Sequence, residues 1–114
     1  MWSGLARIVA LAGFGVALQS GAQTGAVPGA ERQRELVHVV RQDCGSCHGM
    51  RLTGGLGPAL TPDALAQTPL DSIAAAIFHG RPGTPMPGWR TMLSESDAQW
   101  IAKQLVSGFP QEAP

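Results

Sequence analysis

Residues 44–48 read Cys44-Gly45-Ser46-Cys47-His48, and they hold the only two cysteines of the 114-residue chain. Two thiols one helical turn apart, followed at once by a histidine, form the pattern of covalent c-type haem attachment. The two thiols add to the two vinyl groups of one haem, and the histidine then sits under the iron as an axial ligand. Three other uses of the motif fit less well. A thioredoxin-like pair belongs in a βαβ context, and no strand–helix–strand pattern is visible. A zinc site takes four ligands from paired Cys/His clusters, and the second pair is missing. A disulfide between Cys44 and Cys47 leaves His48 unexplained.

The amino-terminal residues read as a secretory signal peptide, residues 1–22. Arg7 supplies a positive n-region, Ile8 to Leu18 the apolar core, and Ser20-Gly21-Ala22 the small residues before cleavage ahead of Gln23. The alternative is a retained membrane anchor, but the apolar run is short beside the ~20 residues a span needs. No stable membrane insertion is expected after cleavage. Residues 23–29 are rich in Gly, Ala and Pro and read as a flexible leader, and residues 30–110 as one domain. Such a domain is small for a self-sufficient apolar core. A buried haem supplies the missing apolar mass, so the polypeptide without it is expected to fold poorly.

Charge excludes one class of partner. The chain has 8 basic and 8 acidic residues with no basic run, which argues against nucleic acid.

The pattern along the domain is helical. From Ala30 to about Asp43, Leu36, Val37 and Val40 form an apolar stripe, with Arg32, Arg34, Glu35 and Arg41 on other faces. Gly49 to Pro58 holds four glycines and forms a loop. Thr61-Pro62-Asp63 starts a short helical turn with Pro62 at its first position. Thr68 reads as an N-cap, Pro69 as the first residue of a second helix, and Asp71 as its capping-box carboxylate. Leu70, Ile73, Ala74 and Ile77 make its stripe, and Gly80 ends it. A proline-rich loop, Arg81 to Trp89, follows. The last helix starts at Ser94 with Asp97 three residues on, carries Trp100, Ile101 and Leu105, and stops at Gly108. The fold class is all-α, with three main helices and two Gly/Pro-rich loops.

Met86 is the candidate for the second axial position. It lies between Pro85 and Pro87, so the loop around it is stiff. Its rivals are weaker. Met50 follows His48 too closely to reach the opposite face. Met92 is expected to pack in the core. His79 closes the second helix, and His38 reads as a surface or partly buried residue. Arg81 and Trp89 flank the Met loop, and a guanidinium and an indole N–H are both good donors for haem propionates. Packing for Trp89 and solvation for Arg81 are the plainer readings. Trp100 is expected in the core near Leu36 or Val40.

Taken in order, Cys44-Gly45-Ser46-Cys47-His48-Gly49, Gly57-Pro58-Ala59-Leu60, Met86 in a proline loop and a terminal helix with an aromatic resemble the class I cytochromes c. The resemblance covers about Ala30 to Gly108. It implies that the Pro58 carbonyl accepts from His48 Nδ1 and that the first and last helices cross beside the haem. It also implies one haem c per chain, bound through Cys44, Cys47, His48 and Met86. Arg41 to Gly49 together with His79 to Trp89 is similar to the small periplasmic cytochromes c55X of denitrifying bacteria. That likeness implies a periplasmic electron-transfer protein rather than an enzyme, with transient redox partners such as cytochrome cd1 nitrite reductase. The alternative it implies is a redox enzyme or assembly factor in d1 haem maturation.

Overall fold

The computed structural model describes residues 26–112 and the isolated Gly15. Apart from Gly15, the expected signal segment and the leader up to residue 25 lie outside the described residues. Among the described residues the chain is helical without strands, and no helix is long and apolar enough to cross a membrane.

Helix α1, Ala30–Val39, passes into a π-helical turn, Val40–Cys44, and then into α2, Gly45–His48. The expected α-helix to Asp43 is therefore interrupted. The interruption has a physical use. In an ordinary α-helix of 3.6 residues per turn, a repeat of four drifts around the axis. The wider π turn absorbs the drift, so Leu36, Val40, Cys44 and His48 stay on the buried side. It also turns Arg41 inward, where only 7% of it is exposed, contrary to its expected place on a polar face. Its guanidinium donates to the carbonyls of Phe109 (2.9 Å) and Pro110 (2.8 Å) and lies 5.3 Å from the centre of the Phe109 ring. The carboxyl-terminal segment is thereby fastened beside the start of the cysteine motif. Buried arginine is tolerated because its donors are met.

The loop after His48 turns on Gly49 and on Leu52, whose φ is +61°. A left-handed leucine costs about 1–2 kcal/mol. Its side chain is 2% exposed, and burying a leucine contributes about 1.5–3 kcal/mol, so packing holds the conformation. Helix α3, Pro62–Leu65, follows, with Thr61 Oγ1 accepting from the Ala64 amide at 3.3 Å.

Helix α4, Leu70–His79, begins one residue later than expected, with Pro69 as N-cap and no side-chain cap. Neither Thr68 nor Asp71 caps it. The Thr68 amide donates back to the Leu65 carbonyl at 2.9 Å. A capping box also needs an N-cap amide, which proline lacks. Ile73, Ala74 and Ile77 are buried, and Gly80 ends the helix at φ +76°.

Helix α5, Glu95–Ser107, carries the expected capping box: Ser94 Oγ accepts from the Asp97 amide (3.1 Å), and Asp97 Oδ2 accepts from the Ser94 amide (3.0 Å). It packs on α4 and α3. Trp100 is buried in one cluster with Leu36 and Val40, although it shares a hollow with Val37 between α1 and α5. Met92 is 54% exposed rather than core. The turn after Trp89 points Leu93 inward instead, its amide and that of Met92 both donating to the Trp89 carbonyl.

One ion pair joins the first and last helices. Arg32 Nη2 lies 2.8 Å from Asp97 Oδ2 and 3.0 Å from the Met92 carbonyl. Burial alone would raise the Asp97 carboxyl pKa, but hydrogen bonds from Arg32 and Ser94 outweigh it and hold it below the ordinary value. The folded pKa is thus below the unfolded one. The resulting stabilisation is present above about pH 4 and is lost as pH falls through the folded value. Asp97→Asn is expected to cost about 1–3 kcal/mol at neutral pH, and thermal melts of variant and parent should converge as the pH drops below about 4.

Candidate functional site

Cys44, Cys47, His48 and Pro58 come together at the end of the first helical run. Both cysteines are free thiols, Cys44 half-buried and Cys47 exposed. In the polypeptide alone, burial pushes the Cys44 thiol up to about 11, and the neighbouring Asp43 charge adds to it. Ser46 Oγ donates to the Asp43 carbonyl at 2.7 Å, closing the turn between the cysteines.

His48 is 8% exposed, and its Nδ1 lies 2.7 Å from the Pro58 carbonyl. A carbonyl only accepts, so Nδ1 carries the proton and Nε2 of the neutral ring keeps its lone pair. The loop is pressed onto the ring. A Cβ added at Gly57 would lie 2.7 Å from His48 Cε1 and 2.8 Å from Nδ1, and one at Gly55 would lie 2.7 Å from the Cys47 carbonyl oxygen. The Gly57 amide donates to the Cys47 carbonyl, and the Gly54 amide to that of His48, both at 2.8 Å. These glycines, which from sequence signal only a loop, are what let the backbone lie flat on the motif.

Arg81, Met86 and Trp89 sit on a second loop whose ends meet. A Cβ at Gly80 would lie 2.6 Å from the Gly88 amide nitrogen, and one at Gly88 would lie 2.7 Å from the His79 carbonyl carbon. The Trp89 amide donates to the Ile77 carbonyl (3.1 Å), and the Arg81 amide to that of Met86 (3.3 Å). Inside the loop Thr84 Oγ1 donates to the Arg81 carbonyl (2.7 Å) and accepts from the Met86 amide (3.4 Å). The methionine backbone is thus held by two prolines and two hydrogen bonds, and its residue is half-buried. Arg81 is exposed, and its guanidinium has no hydrogen-bond partner among the described residues. Trp89 is half-buried and packs partly on the core.

The rival ligands are elsewhere. His79 is exposed, with its ring edge-on to Phe78 at 4.9 Å. Met50 is exposed beside Gly45, and exposed His38 pairs with Glu112 at 2.6 Å. Among the described residues no group of three or more His, Cys, Asp or Glu could hold a metal ion. Sequence reasoning gave no role to Thr84, set Arg41 on a polar face, and passed over the Gly80–Gly88 contact. Only the last had a signal, two glycines bracketing a proline-rich stretch. Gly88→Ala drives a methyl into the His79 carbonyl. It is expected to cost about 1–3 kcal/mol, and limited proteolysis should then cut faster within residues 80–89.

Residues 31–103 match the family model described as cytochrome C oxidase, cbb3-type, subunit III. Over 86 residues the chain is 57% identical to cytochrome c55X of Stutzerimonas stutzeri, covering 75% of this chain and 76% of that one. The structure of the c-type cytochrome NirC is similar at TM-score 0.71 and 55% identity, covering 76% of this chain and all of that one. A dihydro-heme d1 dehydrogenase of Pseudomonas aeruginosa is 34% identical over 106 residues, which is 93% of this chain and 20% of that protein. The chain belongs to the class I c-type cytochromes, in the cytochrome c55X family of haem c electron carriers.

Proposed function

We propose that the mature protein is a periplasmic monohaem carrier. One haem c is bound covalently through Cys44 and Cys47, with His48 and Met86 as axial ligands, once residues 1–22 have been removed. The observation that carries this reading is the His48 ring, oriented by the Pro58 carbonyl at 2.7 Å and set beside two free thiols. The residues fit the group: the thiols are unpaired, the histidine keeps a lone pair on Nε2, and the thioether loop is rigid. Bound iron supplies a one-electron ferric–ferrous couple.

The chain's own residues do the rest. Pro58 fixes the ring and makes the imidazole a stronger donor. Gly57 keeps the ring face covered. Thr84, Pro85 and Pro87 hold the thioether so that little ordering is required at each oxidation change. A histidine–methionine pair favours a higher potential than two histidines. In this reading Arg81, exposed and without a hydrogen-bond partner among the described residues, and Trp89 would serve the propionates as donors.

The physiological acceptor in this reading is cytochrome cd1 nitrite reductase. The names of the c55X relatives and the NirC likeness support a role in denitrification. The purified holoprotein should reduce that reductase faster than an unrelated cytochrome of similar potential does, and equal rates would remove the assignment. A second reading has its own support in the likeness to dihydro-heme d1 dehydrogenase over nearly the whole chain. There the chain serves d1 haem maturation. Deleting the gene separates the two: loss of d1 haem with intact reductase polypeptide supports maturation, and normal d1 content with slow nitrite reduction supports the carrier.

Two variants test the ligands. Met86→Ala should leave covalent haem in place, abolish the thioether-to-iron charge-transfer absorbance of the ferric protein, and let the ferrous protein bind CO. Gly57→Ala should displace the His48 ring and sharply lower the yield of haem-loaded protein.

A further inference from the structure

We infer that Arg41 is a fixed, buried cation that biases the haem toward its ferrous state and so raises the reduction potential. The inference rests on the carrier reading above and names a residue outside the ligand set that tunes it.

Among the described residues Arg41 is the one buried arginine or lysine. Arg32, the other arginine that bonds across the fold, is neutralised by Glu35 at 2.7 Å and Asp97 at 2.8 Å. Arg41 forms no ion pair among the described residues. Its donors go to backbone carbonyls instead: Nε to Pro110 at 3.2 Å, and Nη2 to Phe109 at 2.9 Å and Pro110 at 2.8 Å. The Phe109 ring lies against it. The acids on the two segments it joins are engaged elsewhere. Glu112 pairs with His38 at 2.6 Å and accepts from Gln42 at 3.4 Å, and Asp43 is exposed.

Carbonyls satisfy the donors but do not cancel the charge. A guanidinium does not shed its proton either. Fastening a backbone segment needs only donors, and a neutral amide supplies them without the cost of burying a charge. The charge therefore asks for a use of its own, and its place supplies one. Arg41 stands in the π turn Val40–Cys44, three residues ahead of Cys44, which carries one haem thioether in the carrier reading. Losing one electron leaves ferric iron with one more positive charge than ferrous iron. A cation held close by in a poorly hydrated setting penalises that state. Phe109 and Pro110 keep water off the guanidinium, so dissolved salt screens it little.

The test is potentiometric titration of the holoprotein with soluble mediators at pH 6, in dilute buffer and in 1 M salt, where the Debye length is about 3 Å. The reading is the ferrous-to-ferric ratio at the parent's midpoint. Arg41→Gln, which keeps a donor and removes the charge, should lower that ratio about threefold or more, to the same extent in both salts. Arg41→Lys should keep the ratio near the parental one even where it melts at a lower temperature. Arg34→Gln, an exposed arginine on α1, should leave the ratio parental in 1 M salt. The thioether-to-iron charge-transfer absorbance, retained in each ferric variant, shows the ligands unchanged. An unaltered ratio in Arg41→Gln, a fall that vanishes in 1 M salt, or equal falls in Arg41→Gln and Arg41→Lys would overturn the inference. If Arg41→Gln loads no haem, Phe109→Ala decides by letting water reach the guanidinium: a lowered, salt-dependent ratio supports the inference, and a parental, salt-independent one overturns it. A parent without a reversible one-electron curve removes the carrier reading itself, whereas a normal parent curve with unshifted variants removes only the role of Arg41.

Discussion

The hydrogen bond from His48 Nδ1 to the Pro58 carbonyl, at 2.7 Å, is the contact on which the rest of the structure depends. Its net contribution to stability is only about 1 kcal/mol. Its importance lies in direction: it fixes which ring nitrogen holds the proton and which keeps a lone pair. To reach Pro58 the chain must double back over the cysteine motif within ten residues, and that return dictates the glycines at 49, 54, 55 and 57. It also dictates the left-handed Leu52, which is held by burial in the core.

The same solution recurs around Met86. Two glycines in near contact, Gly80 and Gly88, close the loop where it leaves and rejoins the fold. Prolines and the Thr84 hydroxyl stiffen its interior. In both loops the absence of a Cβ at the point of closest approach lets the backbone be rigid without a strand or a helix. The helices behind are held by longer-range polar contacts: Arg32 joins α1 to α5 through Asp97, and Arg41 fastens the segment after α5. Rigid loops on a braced helical frame suit a protein whose ligands must hardly move when one electron is added or removed.

How much of this could be read from the residues follows from the range of each interaction. Ser94 and Asp97 cap α5 through contacts three residues apart, so their spacing announced the helix start. Gly80 and Gly108 stop helices for local backbone reasons. The π turn had no such mark, because it is set by what Val40 and Arg41 pack against on the far side of the fold. The carbonyls that Arg41 reaches lie 68 and 69 residues away. Every residue offers a carbonyl, so no sequence pattern singles these out. The Thr68 and Asp71 cap failed for a neighbouring cause, since α3 had already engaged the Thr68 amide and Pro69 has none to offer. Met92 is exposed and Leu93 buried because a turn, not a helical period, decides which of them faces inward. Within the site, the Cys44–His48 motif and the proline frame of Met86 were legible from chemistry and order alone, and the part of Pro58 only from the family resemblance. The glycine contacts and the Thr84 bonds needed the folded backbone.

The most direct measurement is a potentiometric titration of the purified holoprotein followed by its visible spectrum. A single reversible one-electron curve is expected, with the thioether-to-iron charge-transfer absorbance present in the ferric form and no CO uptake by the ferrous form. More than one wave, or ready CO binding by the unmodified protein, would contradict an electron carrier in which His48 and Met86 both remain on the iron.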